Sequence, residues 1–141
     1  MPIRFVDASV FVHAYLKPRR ELRPHEILIK KRARTIVSRI NQGEPVLVST
    51  VHFAEVANLL EDWMALQEAQ TVLLGLATMD NVRFVSVARS DLLEALALAT
   101  EAGVGTTDAL AVVLMRREGT RDIYSFDRDY DRFDEIHRVA Q

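Results

Sequence analysis

The sequence predicts an α/β fold in which a parallel sheet is covered by helices on both faces, a doubly wound arrangement. Short apolar runs typical of buried strands alternate with segments of helical periodicity along all 141 residues. No internal repeat, low-complexity tract or linker interrupts this alternation. We therefore expect one domain that covers residues 1–141.

The chain begins with a predicted strand and a predicted short helix. Residues 3–6 form an apolar run typical of a strand, and a helix follows at about 9–16. Pro18 and Pro24 indicate that residues 17–26 are irregular, because proline interrupts regular hydrogen bonding.

A longer helix is predicted at about 27–41, because its apolar residues recur at amphipathic spacing. That stripe consists of Ile29, Ala33, Ile36, Val37 and Ile40. Gly43 suits the C-terminal cap of this helix, and residues 46–49 form the second apolar strand. Thr50 is a suitable N-terminal cap for the helix that follows.

This next helix carries an apolar stripe with a carboxylate on another side. The stripe consists of Phe53, Val56, Ala57, Leu60 and Met64. Glu55 points away from it at 100° per residue and is therefore free to face a cleft.

The second half of the chain continues the alternation. Its predicted elements are a helix at 66–77, a strand at 83–87, a helix that begins at Ser90 or Asp91 and ends near Gly103, a buried helix at 109–115 that Gly119 stops, and strands at 121–125 and 136–139. Residues 109–115 are apolar on nearly every side, which is typical of a central buried helix.

Four acidic residues lie where predicted strands end or helices begin: Asp7, Glu55, Asp108 and Asp127. Each alone has an ordinary explanation, as a helix cap, a turn former or a solvated helix residue. Because the carboxyl ends of parallel strands face a common crevice, we expect the four to converge. Converging carboxylates repel one another unless a cation lies between them. The pattern therefore favours a hard divalent metal ion and hydrolysis at phosphorus.

Three other sites that use acidic residues are excluded by their spacing. A calcium loop starting at Asp127 needs Gly at its sixth and Glu at its twelfth position, where this chain has Arg132 and Arg138. A phosphate-accepting receiver site needs a lysine near a late strand, and no lysine follows Lys31. A haloacid-dehalogenase site needs a second Asp two residues after the first, where Ser9 stands.

Composition limits the chemistry further. The chain has no Cys, which excludes a disulfide framework, a thiolate nucleophile and a Cys-based zinc site, and is compatible with a reducing cytoplasm. No apolar run approaches 18 residues, so neither secretion nor a membrane span is expected.

Basic residues are concentrated in one stretch although the net charge is −2. Nine of the 18 Lys and Arg residues lie between Lys17 and Arg39, opposed only by Glu21 and Glu26. The stretch is interpreted either as a solvated helix face or as a surface for phosphates or an acidic partner.

Histidine and tryptophan give no separate signal of a site. His13, His25, His52 and His137 lack metal-ligand spacing and are expected to be structural or exposed. Trp63 and Met64 are expected in the core or an interface.

Four motifs together resemble those of PIN domains, and in pattern the VapC-type toxins of toxin–antitoxin pairs. They are Val6-Asp7-Ala8-Ser9-Val10-Phe11, Ser49 with Glu55, Thr107-Asp108-Ala109, and Ser125-Phe126-Asp127-Arg128-Asp129-Tyr130. The resemblance covers essentially the whole chain. It implies a five-stranded parallel sheet in the order 3-2-1-4-5.

The resemblance also implies a set of site residues. Asp7, Glu55, Asp108 and Asp127 would be the catalytic, metal-binding acids. Small hydroxyl residues at Ser9, Thr107 and Ser125 would support them, and Asp129 would be an outer-shell acid. The stretch from Lys17 to Glu26 departs from the family because it is longer than the usual loop.

The implied activity is an endoribonuclease that uses Mg²⁺ or Mn²⁺ to activate water and hydrolyse RNA phosphodiesters. As a toxin, the protein would bind a cognate antitoxin beside its active site and form a homodimer in the cytoplasm. Two alternatives stay open: an RNA-processing nuclease outside a toxin–antitoxin system, and a PIN-like binding scaffold without catalysis.

Overall fold

Five short strands and six α-helices alternate in the computed structural model, which describes residues 3–141. In chain order they are β1 (Arg4–Val6), α1 (Ala8–Tyr15), α2 (Pro24–Asn41), β2 (Val46–Ser49), α3 (Thr50–Trp63), α4 (Leu66–Thr78), β3 (Val82–Val85), α5 (Arg89–Ala102), α6 (Thr106–Glu118), β4 (Asp122–Tyr124), a 3₁₀ helix (Arg128–Arg132) and β5 (His137–Val139).

The strands form one parallel sheet in the order β3-β2-β1-β4-β5, which confirms the predicted topology. Strand β1 is central, with Phe5 level with Leu47 of β2 on one side and with Ile123 of β4 on the other. All strands therefore end at one edge of the sheet, and the residues that follow β1, β2 and β4 are neighbours there.

Side chains alternate between two cores, one on each face of the sheet. Val6 and Tyr124 point into a core formed with helices α1 to α4, whereas Phe5 and Ile123 point into one formed with α5 and α6. This alternation follows from the two-residue period of a strand. Helices on both faces were predicted, and the structure confirms them.

Residues 17–26 are only partly irregular, because α2 begins at Pro24 and not at residue 27. Proline suits the first turn of a helix, where its missing N–H has no partner to lose. The Glu26 carboxylate accepts a hydrogen bond from the backbone N–H of Arg23, 3.1 Å away. The prediction that Pro24 is part of an irregular segment was wrong.

Two predicted helix caps also differ from the structure. Ser49, not Thr50, caps α3, and its Oγ accepts a hydrogen bond from the backbone N–H of His52 at 2.9 Å. Helix α5 begins at Arg89, and the carboxylate of Asp91 accepts a bond from the N–H of Ala88 at 2.8 Å. In both cases the helix begins one or two residues earlier than predicted.

Other boundaries shift by a few residues. Strand β3 ends at Val85 and not at 87, because its partner β2 ends at Ser49, which lies opposite Val85. Helix α6 begins at Thr106 and ends before Gly119, whose positive φ of 72° closes it as predicted. Asp108 therefore lies in the first turn of α6.

Within residues 3–141, no single helix is both long enough and apolar enough to cross a membrane, and only α5 and α6 taken together, bent at 115°, reach that length and apolarity.

Candidate active site

Asp7 directly follows the central strand β1, and its carboxylate is buried and held by two hydroxyl groups. The side chain of Ser125 donates to Oδ2 at 2.9 Å, and the hydroxyl of Tyr130 donates to Oδ1 at 3.2 Å. The backbone N–H of Asp7 donates to the carbonyl of Tyr124 at 3.0 Å and so extends the pairing of β1 with β4. These three bonds fix the carboxylate at the edge of the sheet.

Ser125 connects Asp7 to Asp127. Its Oγ donates to Asp7 and accepts from the backbone N–H of Asp127 at 3.0 Å. The carboxylate of Asp127 in turn caps the 3₁₀ helix by accepting from the N–H of Asp129 at 2.9 Å. Ser9 supports the same turn, since its Oγ accepts from the N–H of Phe126 at 3.3 Å. Ser9 and Ser125 thus contact the loop that carries two of the acids.

Asp108, Asp127 and Asp129 form a group in which one carboxylate oxygen from each residue lies within 4.8 Å of those from the other two. Burial, followed by the neighbouring charges of Asp127, Asp7 and Asp129, raises the pKa of Asp108 to about 7. The cluster is therefore too negative to stay fully ionised without a cation. Carboxylate oxygens at this spacing are ligands that Mg²⁺ and Mn²⁺ accept, so the residues fit a divalent ion.

Glu55 and Asp7 lie beside this group but are not members of it within the described residues. Burial raises the pKa of Glu55, and the negative charge of Asp7 adds to the rise. The structure thus brings Asp108 and Asp127 together, as expected, and places Asp129 with them.

Tyr130 has a role that the sequence did not predict. Its ring is fully buried and its hydroxyl bonds Asp7. Burial and the charges of Asp7 and Asp108 raise its pKa well above 10, so the hydroxyl stays protonated and donates. A tyrosine three residues after Asp127 was the only sequence signal, and no spacing rule connects it to Asp7.

His52 is a second residue without a predicted role at the site. It is buried with a 1% exposed fraction, which agrees with the structural role expected of a histidine. Its Nε2 lies 3.0 Å from the carbonyl oxygen of Thr107, next to Asp108. The side chain of Thr107 is exposed and makes no hydrogen bond within residues 3–141, so its contact near the site is through the backbone.

Part of the basic stretch serves the fold. Arg20 pairs with Glu26 at 2.7 Å, and Lys30 donates to the carbonyls of His13, at 3.0 Å, and Leu16. The other basic residues of the stretch that are exposed include Lys17, Arg23, Lys31 and Arg34. These side chains remain available to a polyanion.

Trp63 is not a core residue. Its exposed fraction is 52%, and the guanidinium of Arg19 lies 4.2 Å from the centre of its ring. Met64 is half-buried and packs against the core on the α1–α4 face of the sheet. Of the four histidines, His13, His25 and His137 are exposed.

Comparison with known proteins identifies relatives of this fold. The family model described as the PIN domain matches residues 4–136. A search of the curated proteins gave no match.

Solved structures with the same fold include toxins and toxin complexes. VapC20 of Mycobacterium tuberculosis, a sarcin-ricin loop cleaving toxin, superposes with a TM-score of 0.67 and 21% identity over 90% of this chain and 92% of that one. A toxin–antitoxin complex from Klebsiella pneumoniae gives 0.66 and 10% identity over 98% of both chains. VapBC2 of Rickettsia felis, bound to a DNA fragment from its promoter, gives 0.64 and 12% identity over 97% of both.

Proposed function

The chain belongs to the PIN domain family, and we propose that it is a divalent-metal-dependent endoribonuclease that hydrolyses RNA phosphodiesters. The observation that supports this most is the group of Asp108, Asp127 and Asp129 beside the oriented carboxylate of Asp7. Four acids at the carboxyl edge of a parallel sheet repel one another, and a bound cation would relieve that repulsion.

We assign the residues distinct tasks. Asp108, Asp127 and Asp129 would hold Mg²⁺ or Mn²⁺, and Asp7 and Glu55 would complete the acidic site beside them. When bound, such an ion lowers the pKa of a water molecule and stabilises negative charge on the phosphate. Ser125 and Tyr130 orient Asp7 through their hydroxyl groups, and Ser9 keeps the Asp127 loop in place.

Substrate RNA would lie across this edge of the sheet. Lys17, Arg23, Lys31 and Arg34 are exposed and carry charge of the sign that attracts a phosphate backbone. Cleavage would therefore weaken as salt concentration rises, because counterions compete for the same phosphates.

Cleavage of a synthetic single-stranded RNA and of total cellular RNA tests the proposal. The wild type should cut with Mg²⁺ or Mn²⁺ and not with EDTA, and Asp108→Asn should lose on the order of 10²-fold or more. The matched control is Asp80→Asn, which alters an exposed aspartate that has no hydrogen bond or ion pair in the described residues. Equal cleavage by wild type and Asp108→Asn would reject the proposed site.

We propose further that the protein is the toxin of a toxin–antitoxin pair, because three of its structural relatives are toxins or toxin–antitoxin complexes. It would act in the cytoplasm as a homodimer and be held inactive by a cognate antitoxin. Induction in a host should arrest growth, and Asp108→Asn should relieve the arrest. A nuclease active in vitro whose induction leaves growth unchanged would favour an RNA-processing role instead.

A further inference from the structure

His52 connects the beginnings of two helices that carry acidic residues of the site. Its Nδ1 lies 2.5 Å from Oγ of Ser49, the cap of α3, and its Nε2 lies 3.0 Å from the carbonyl oxygen of Thr107 in α6. Glu55 is three residues further along α3, and Asp108 directly follows Thr107. One imidazole ring therefore bridges the two helix N-termini.

The direction of each hydrogen bond follows from the partners. A carbonyl oxygen only accepts, so Nε2 of His52 donates to Thr107. Oγ of Ser49 already accepts from the backbone N–H of His52, and its own hydrogen is free to donate to Nδ1. The hydroxyl of Ser49, the imidazole of His52 and the carbonyl of Thr107 thus all have hydrogen-bond partners. A buried network in which every polar group is paired holds its members in one arrangement.

The bridge spans the central strand. Helix α3 follows β2 and α6 precedes β4, and β1 lies between these two strands. Strands two places apart in a sheet are about 10 Å apart. His52 crosses this gap above Phe5, whose ring it meets edge-on with centroids 5.3 Å apart.

We propose that His52 is a positioning residue that sets the place of Asp108 relative to Glu55 and Asp7. Its bond to the Thr107 carbonyl holds the first turn of α6, where Asp108 lies, against α3. The catalytic part of this inference rests on the proposed function. The bridge itself is a property of the fold that can be measured without metal or RNA.

Three variants separate positioning from general stability. His52→Leu keeps a buried side chain of similar size and loses both hydrogen bonds. His52→Gln retains an N–H that can reach the Thr107 carbonyl. Phe5→Leu is the matched control, because it removes volume from the same contact and leaves both bonds in place.

The first measurement is hydrogen exchange of the metal-free proteins, well below the lowest melting temperature. Amides of residues 106–110 should exchange about tenfold faster in His52→Leu than in the wild type, and at nearly wild-type rates in His52→Gln and Phe5→Leu. Unchanged exchange in His52→Leu would overturn the proposal. So would equally faster exchange in Phe5→Leu, since loss of packing alone would then account for it.

The second measurement is Mn²⁺ affinity together with the kinetics of RNA cleavage. His52→Leu should bind Mn²⁺ about 10-fold more weakly and lose kcat by about 10- to 100-fold with little change in KM, the range seen when groups that orient ligands are removed. His52→Gln should stay within about threefold of the wild type. Equal losses in His52→Gln and His52→Leu would overturn the proposal.

A wild type that neither binds Mn²⁺ nor cleaves RNA would reject the proposed function alone, and the exchange measurement would still decide whether His52 positions α6.

Discussion

Replacing Asp108 by Asn should stabilise the metal-free protein at neutral and higher pH while it strongly reduces cleavage. In the wild type, burial and three neighbouring carboxylates raise the pKa of Asp108 from its ordinary value of 3.8 to about 7. Asn has nearly the same shape and no charge. The variant therefore removes the repulsion and keeps the packing.

The sign follows from proton binding. Between about pH 4 and 7, folded Asp108 keeps a proton that the unfolded chain has lost, so metal-free wild type loses stability as pH rises through this window. The asparagine side chain of the variant does not titrate. The stability advantage of Asp108→Asn should thus grow from about pH 4 to 7 and then level off.

The magnitude can be estimated from the same pKa. The rise from 3.8 to about 7 corresponds to about 4 kcal/mol for a fully shielded group, at about 1.36 kcal/mol per pKa unit. Solvent reaches Asp108 and screens its neighbours, so we expect about 1–2 kcal/mol, or roughly 3–8 °C in melting temperature.

Thermal unfolding in EDTA at pH 5 and pH 8 is the assay, with Asp80→Asn as the control that should match the wild type at both. Added Mg²⁺ should reduce the advantage of the variant, because at ten times its Kd it stabilises the wild type by about 1.4 kcal/mol and the variant by less. An Asp108→Asn protein no more stable than wild type at pH 8 in EDTA would refute the reasoning. It would mean that the acids do not crowd one another.

Two further variants test contacts that surround the site. Tyr130→Phe keeps the buried ring and removes the hydroxyl that donates to Asp7. We expect the free energy of unfolding, measured by chemical denaturation, to fall by about 1.5–3 kcal/mol and RNA cleavage to slow. Unchanged values in both measurements would show that this bond is not needed. Lys30→Met removes the ammonium group that donates to two carbonyl oxygens at the end of α1, so the free energy of unfolding should fall by about 1 kcal/mol. The control Lys31→Met alters an exposed position and should leave the free energy of unfolding unchanged. Equal effects of the two variants would contradict the capping role of Lys30.

The sequence predicted the order of elements because that order depends on local patterns, whereas the strand order was implied by the resemblance to PIN domains. The stripe that includes Ala33 and Ile36 recurs at helical spacing, whereas the runs at β1 and β2 are short, continuous and apolar, and their shortness favours buried strands. Boundaries were less well predicted. Pro24 and Ser49 are each compatible with more than one position near the start of a helix. Where the helix begins depends on how it packs against the rest of the fold.

For the site, the sequence by itself determined which acids follow strands or open helices, since a strand end and a helix start can be recognised from adjacent residues. Only the tertiary structure decided that Asp129 joins Asp108 and Asp127 while Asp7 lies beside them. It also decided that Tyr130 and His52 hold that arrangement, through contacts 123 and 55 residues apart in the chain. The physical reason is that a buried hydrogen bond depends on positions in space, which a one-dimensional pattern does not contain.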